Sequence, residues 1–115
     1  MSKITSSEKG AYYEEVALQY LLSKGLQLVA RNYLCKLGEL DLLMRDAGFL
    51  VVVEVRYRKN NQYGGALESI TKMKQNKVIA ATEHYLMNKK IKSPVRIDVV
   101  AITGNNEPEW IRNAF

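Results

Sequence analysis

Gly38-Glu39-Leu40-Asp41-Leu42-Leu43 and, beyond Asp46-Ala47-Gly48-Phe49, Leu50-Val51-Val52-Val53-Glu54-Val55-Arg56 are the stretches that decide how this chain folds. Two apolar runs around a short Gly-containing segment read as a β-hairpin. With the turn centred on Ala47-Gly48, the numbers of residues facing each other across the hairpin sum to 95. That register sets Arg45 against Leu50, Leu43 against Val52, Asp41 against Glu54 and Glu39 against Arg56. Two carboxylates directly opposed in a sheet repel and weaken the pairing, so Asp41 and Glu54 together invite a cation between them. A hard divalent ion held by oxygen ligands suits such a pair. Glu54 and Arg56, two apart on one strand, share a face, and the register gives that face to Asp41 as well.

The second strand of the hairpin begins with a β-branched run that is apolar on both faces, which places it at the centre of a covered sheet. Glu54 and Arg56 then introduce charge, marking where the core gives way to a polar site or, in the simpler alternative, where the strand emerges into solvent. The expected strands are 27–33, 39–45 and 49–58.

Upstream, Thr5, Ser6 and Ser7 offer N-cap side chains for a helix from about Glu8 to Lys24, stopped by Gly25. At ~100° per residue, Ala17, Leu18 and Leu21 fall in one arc with Glu14 at its middle, while Glu15 lies to the side with Gln19 and Ser23. Burying an unpaired acid is costly, so Glu14 either meets a cation at the sheet rim or makes a structural hydrogen bond. The hairpin acids favour contact with a metal or substrate.

A polar segment, Lys59-Asn60-Asn61-Gln62-Tyr63-Gly64-Gly65, follows the hairpin, and its Tyr63 has a ring able to stack on a base. A second helix is expected from Lys72 to Asn88 with Thr71 as N-cap, its inward arc carrying Val78, Ala81 and Tyr85 and, nearer the start, Lys74 and Gln75. Its N-terminal turn, with Lys72, Lys74 and Lys77, suits phosphate; an ordinary solvated lysine face is the alternative, and for Lys72 and Lys77 individually the better one. His84 reads as surface. Val95 to Ile102 alternates as another strand, on which Asp98 reads as structural, paired with Arg96 or Arg58. Trp110-Ile111 reads as a short edge strand or packed tail.

At 115 residues the chain fits a single domain, 1–115, with 47% hydrophobic residues to fill one core. Seventeen Lys and Arg against 12 Asp and Glu leave a formal charge of +5, a moderate bias toward polyanions. The single Cys35 excludes an internal disulfide and fits a reducing cytoplasm. No stretch approaches the roughly 18 apolar residues of a membrane span, and residues 1–9 lack a signal-peptide core. A cytoplasmic protein without a membrane partner is expected. One His and one Cys make a transition-metal site on those ligands improbable, and neither a zinc-type cluster nor a phosphate-binding Gly-rich motif is present.

The order helix, three strands, helix, one or two strands gives an α/β (α+β) architecture with a central mixed sheet flanked by helices. An acid on one strand and acid-x-base on the next, here Asp41 and then Glu54-Val55-Arg56, resembles the PD-(D/E)XK nuclease superfamily, whose restriction-endonuclease-like core has the order αβββαβ. Nearer still, Glu14-x-x-Ala17, Ala30-Arg31-Asn32-Tyr33, Gly38-Glu39-Leu40-Asp41-Leu42, Val53-Glu54-Val55-Arg56-Tyr57-Arg58, Tyr63-Gly64-Gly65-Ala66, Arg96-Ile97-Asp98-Val99-Val100 and Asn113-Ala114-Phe115 together resemble the YraN-like bacterial family. That family is similar in its core to archaeal Holliday junction resolvases.

The resemblance implies a metal-dependent endonuclease acting on DNA, branched or structured DNA included, with Mg2+ or Mn2+ as cofactor. It implies that Asp41 and Glu54 ligate the metal, that the Val55 carbonyl adds a ligand, and that Glu14 completes the acidic cluster. Glu39 and Gln75 would stand behind these, and Arg58, Lys59, Tyr63, Lys72, Lys74 and Lys77 would contact nucleic acid. The resolvase analogy extends to a homodimer. Arg56 departs from the pattern, which has lysine there; arginine stabilises a phosphate but stays protonated and cannot act as a general base. Two alternatives stay open: a nucleic-acid-binding protein with a weakened nuclease site, and a protein-interaction domain with a structural acid cluster.

Overall fold

The structure, a computed structural model, describes residues 6–59, 68–105 and 107–115. The chain runs α1 (Ser6–Ser23), β1 (Gln27–Cys35), β2 (Gly38–Asp46), β3 (Phe49–Tyr57), α2 (Lys72–Lys89), β4 (Val95–Ile102) and β5 (Pro108–Ile111). The strands form one mixed sheet in the order β1-β2-β3-β4-β5, parallel only between β3 and β4. A parallel neighbour requires a crossover, and α2 supplies it. The expected order αβββαβ is present, extended by β5, and the architecture is compatible with a restriction-endonuclease-like core.

β3 is the middle strand, and its run of four apolar residues serves both faces. Val51 and Val53 join Leu42, Met44, Val100 and Ile102 beneath Ala17, Leu18 and Leu21 of α1. Leu50 and Val52 join Leu40, Leu43 and Ile97 against Val78, Ala81 and Tyr85 of α2. Both helices thus bury the arcs that their periodicity marks. Truncating one such fully buried leucine to alanine costs about 2–5 kcal/mol, a large part of the stability of a domain this small.

Local chemistry sets the helix ends. Gly25 adopts φ 96°, which a side chain would resist, and lets the Leu26 N–H return to the Leu21 carbonyl at 3.1 Å while Leu26 itself is buried. At the start of α2 the Thr71 hydroxyl accepts the Lys74 N–H at 3.1 Å, as an N-cap should. Of the cap positions expected for α1, Thr5 lies outside the described residues.

The expected hairpin register holds from Asp46↔Phe49 to Leu42↔Val53, including Arg45↔Leu50 and Leu43↔Val52. Beyond Leu42 the backbone pairing of β2 with β3 stops, so Glu39 does not face Arg56; Glu39 is paired with Leu34 of β1, which extends two residues past the expected Tyr33. On its other side β2 pairs with β1 in one register from Ala30↔Leu43 to Cys35↔Gly38, past a β-bulge between Leu28 and Ala30. Asn32, which falls opposite Asp41 in that register, takes a left-handed φ of 51°. Leu40 faces the α2 core while Leu42, two residues on, faces the α1 core. Asp41 occupies the switch point.

On β4, beside Val53 of β3, Asp98 is fully buried and accepts hydrogen bonds from Arg96 Nε (2.9 Å) and Nη2 (3.0 Å), Trp110 Nε1 (2.9 Å) and the Asn113 N–H (2.9 Å). Arg96 also reaches Asp46 at 2.9 Å. The aspartate is structural, and its cation is Arg96; Arg58 instead donates its backbone N–H to Ile102. No helix among the described residues is long and apolar enough to cross a membrane.

Candidate functional site

Where β2 and β3 part, side chains replace the missing ladder bonds. The Val55 N–H donates to Asp41 Oδ2 at 2.9 Å, and the Asp41 N–H points to Glu54 Oε2 at 3.4 Å. Each carboxylate is therefore held by the other strand's backbone, leaving Asp41 Oδ1 and Glu54 Oε1 for other partners. The two acids meet, but by strand separation at a break in the pleat and not as a regular facing pair on one strand face. They line a cleft of about 220 Å³ together with Gly10, Tyr13 and Glu14 of α1, Val55, Arg56 and Tyr57 of β3, and Lys74 of α2.

Glu54 is 1% exposed. Burial, and then the neighbouring Asp41 carboxylate, push its pKa up to about 8, against the weaker opposing pull of Lys74. Burial raises Asp41 as well, partly countered by the Val55 N–H and by Lys74. Glu14 is raised to about 7, first by desolvation and then by Asp41 and Glu39. Three acids that resist ionisation around one cleft constitute an electrostatic deficit of positive charge. Lys74 Nζ stands 3.8 Å from Glu54 Oε1, an ion pair but a long one.

Among the described residues no three His, Cys, Asp or Glu side chains are gathered closely enough to cage a metal by themselves. The donors suit magnesium all the same. It is usually held by one or two carboxylates and retains several waters, leaving positions for substrate phosphate, and Asp41 and Glu54 supply two carboxylates at an open cleft lined only by oxygen and nitrogen donors among its polar groups. The residues present fit a hard divalent ion with a loose protein shell better than a closed structural site.

Arg56 lies on the cleft wall, but its guanidinium is engaged: Nε and Nη2 donate to Ser69 Oγ at 3.3 and 3.2 Å, and Nη2 to the Ser69 carbonyl at 3.4 Å. The expected Glu39 partner is replaced by Ser69, a residue that nothing in the local sequence singles out, because a contact across 13 positions has no periodic signature. Glu39 is exposed and acts on Glu14 and Asp41 through its charge. Gln75 donates to the Ile70 carbonyl at 3.3 Å, closing the turn before α2, and is not among the cleft residues. Of the residues expected to meet nucleic acid, Lys74 lines the cleft; Lys59, Lys72 and Lys77 are exposed and Arg58 half-buried outside it. Tyr63 lies outside the described residues. His84 is exposed as expected, yet its Nδ1 is 2.6 Å from the Tyr33 hydroxyl.

The sequence reading gives no role to Tyr13 or Tyr57, and the structure puts both on the cleft wall, their rings stacked at 4.0 Å between centroids and 9° between planes. Tyr57 stands in the Val53-to-Arg58 motif directly after Arg56, and Tyr13 directly precedes Glu14.

Residues 13–102 match the uncharacterised protein family UPF0102. The chain is 50% identical over 113 residues to a UPF0102 protein of Legionella pneumophila subsp. pneumophila, covering 96% of each, and 45% identical over 120 residues to one of Nitrosococcus oceani, covering 100% of this chain and 97% of the relative. A third, from Saccharophagus degradans, is 50% identical over 111 residues, covering 95% of this chain and 93% of that protein. The chain belongs to the UPF0102 family, the YraN-like family that its motifs resemble.

Proposed function

We propose that this protein hydrolyses phosphodiester bonds in nucleic acid, DNA above all, with a divalent metal held at Asp41 and Glu54. The observation that carries the reading is the mutual clamp of the two acids. Val55 N–H to Asp41 and Asp41 N–H to Glu54 fix both carboxylates at the mouth of a cleft although each is raised in pKa there. An arrangement that stores repulsion between fixed acids is one that a cation relieves.

Asp41 and Glu54 would hold the ion, with the Val55 carbonyl and Glu14 as the further oxygen donors at the same cleft. When bound, magnesium or manganese supplies positive charge to a phosphate and acidifies water. Lys74, 3.8 Å from Glu54 in the same cleft, offsets phosphate charge. Arg56 contributes a second, permanent charge with forked donors, and its hold on Ser69 fixes where that charge stands. Hydrolysis adds a water oxygen to phosphorus and releases one sugar oxygen, so both cations act on charge that builds on the phosphoryl oxygens.

A binding protein with a weakened site is the second reading, favoured by one feature: Arg56 replaces the lysine of the nuclease pattern that the sequence resembles and cannot accept a proton. One experiment separates the two. Linear duplex, single-stranded and four-way-junction DNA are incubated with Mg2+ or Mn2+ and resolved on gels, with Asp41→Asn as control. Metal-dependent cleavage lost in Asp41→Asn supports hydrolysis; tight binding without cleavage on every substrate supports the binding protein.

A further inference from the structure

Beside the acid cleft, α1 and the end of β3 build an aromatic step. Tyr13 and Tyr57 are stacked face to face, Tyr12 stands edge-on to Tyr13 at 5.0 Å and 78°, and Lys9 Nζ lies 4.9 Å from the centre of the Tyr57 ring. Tyr12 is 51% exposed. Among the described residues, Glu8, Lys9, Tyr12 and Tyr13 line a second hollow of about 470 Å³, within the size range of ligand pockets. Tyr13 belongs to both this hollow and the acid cleft, so the two adjoin.

The pair of features has a chemical reading. One side is polar, with two acids suited to a cation and with Lys74 and Arg56 for a phosphate; the other is aromatic, with Lys9 and Glu8 beside the rings. A ligand that spans both joins a phosphodiester to a flat ring, which is a nucleotide. In a duplex the π-faces of the bases are covered by their stacked neighbours, so a protein ring reaches them only when the nucleotide is unpaired and unstacked. Base stacking on tyrosine is tolerant of sequence, and a nearby cation adds backbone attraction.

We infer that the Tyr12-Tyr13-Tyr57 step, with Lys9, binds an unpaired nucleobase next to the phosphodiester presented to Asp41 and Glu54. This rests on the hydrolytic reading above and narrows its substrate class to strands with an unpaired nucleotide at the site: single strands, flaps or junction branch points.

The test measures binding and cleavage separately. Fluorescence anisotropy in Ca2+ compares a 20-nucleotide single-stranded DNA of chosen sequence (a length of roughly one to a few binding sites), the same strand as RNA, and its blunt DNA duplex. Wild type should bind the single strand about tenfold or more tightly than the duplex. Tyr12→Ala and Tyr57→Leu should each weaken single-strand binding by about 5- to 150-fold, the range that removal of one stacking ring gives, with duplex affinity unchanged. Tyr57→Phe keeps the ring and should retain binding, which guards against a folding defect in Tyr57→Leu. The RNA arm decides whether the unpaired nucleotide is read on both sugars or on DNA alone. Equal affinity for single strand and duplex, or single-strand binding indifferent to both Tyr12→Ala and Tyr57→Leu, overturns the inference. Metal-dependent cleavage that ignores pairing would also overturn it while leaving hydrolysis standing; the binding preference without any cleavage would uphold the step and remove hydrolysis.

Discussion

The Asp41 carboxylate accepts the Val55 backbone N–H at 2.9 Å, so the acid occupies the place of a strand neighbour's carbonyl. It does two tasks at once: it closes the ladder where β2 leaves β3, and it sets one oxygen beside Glu54. An amide oxygen can do the first task without the charge that the second requires.

Asp41→Asn is therefore expected to fold, with a melting temperature equal to or above that of the metal-free wild type. Its affinity for Mn2+ should fall about tenfold or more, because one of two carboxylate ligands is removed. Calorimetric titration beside thermal unfolding measures both; unchanged metal affinity would remove Asp41 from the site. Asp41→Ala should cost about 1–3 kcal/mol of stability, since the Val55 N–H then has no partner.

The acids make a pH signature. Glu54 and Glu14 rise from an ordinary 4.5 to about 8 and about 7 in the folded protein. Over that interval the folded state binds more protons than the unfolded one, so stability falls as pH rises. The stabilising contribution is fully present below pH 4.5 and lost by about pH 8. Denaturant midpoints measured across this range without metal should fall, and Glu54→Gln should flatten the fall. Metal affinity should strengthen with pH over the same interval, because protons and the ion compete for the same oxygens.

Arg56→Lys, which supplies the lysine of the nuclease pattern that the sequence resembles, should raise or reveal metal-dependent cleavage, and Arg56→Ala should abolish it. Ser69→Ala tests the tether: removing the hydroxyl acceptor should cost about 0.5–1.5 kcal/mol and alter cleavage in the direction of a less well-placed cation. Wild-type cleavage by Arg56→Ala would make the residue a structural partner of Ser69 and nothing more.

Electrostatic attraction to nucleic acid should show as a salt dependence of binding. Replacing Lys72, Lys74 and Lys77 together by alanine should flatten it by about 0.7–0.9 in slope for each phosphate that the lysines neutralise. Lys74→Ala alone should account for part of the slope and also shift Glu54 further upward in pKa, because Lys74 is the cation that lowers it. Exposed Lys72 and Lys77 should affect slope alone.

Removing the buried anion of β4 is expected to be severe. Asp98→Ala leaves Arg96 Nε, Trp110 Nε1 and the Asn113 N–H without their acceptor, Arg96 keeping only Asp46, at about 3–5 kcal/mol. The deficit should appear in denaturant unfolding. Metal affinity of the remaining folded protein should be unchanged, since none of these groups lines the acid cleft.

Much of this was legible in one dimension. Val51 and Val53 against Leu50 and Val52 gave a strand covered on both sides, the arcs of α1 and α2 gave their buried faces, and the turn gave the register from Leu42↔Val53 to Asp46↔Phe49. Those are local periodicities, and burial enforces them because a slip of one residue would expose a whole face. The sequence alone also brought Asp41 and Glu54 together. Tertiary structure decided how they meet: β2 changes face at Asp41, between Leu40 and Leu42, its backbone pairing with β3 ends at Leu42↔Val53, and each acid takes up a backbone N–H. It also turned Arg56 to Ser69 instead of Glu39, and brought Tyr13 onto Tyr57. These contacts join positions 13 and 44 residues apart, and no local preference encodes them; only the packing of α1 and of the segment before α2 over the end of the sheet makes them neighbours.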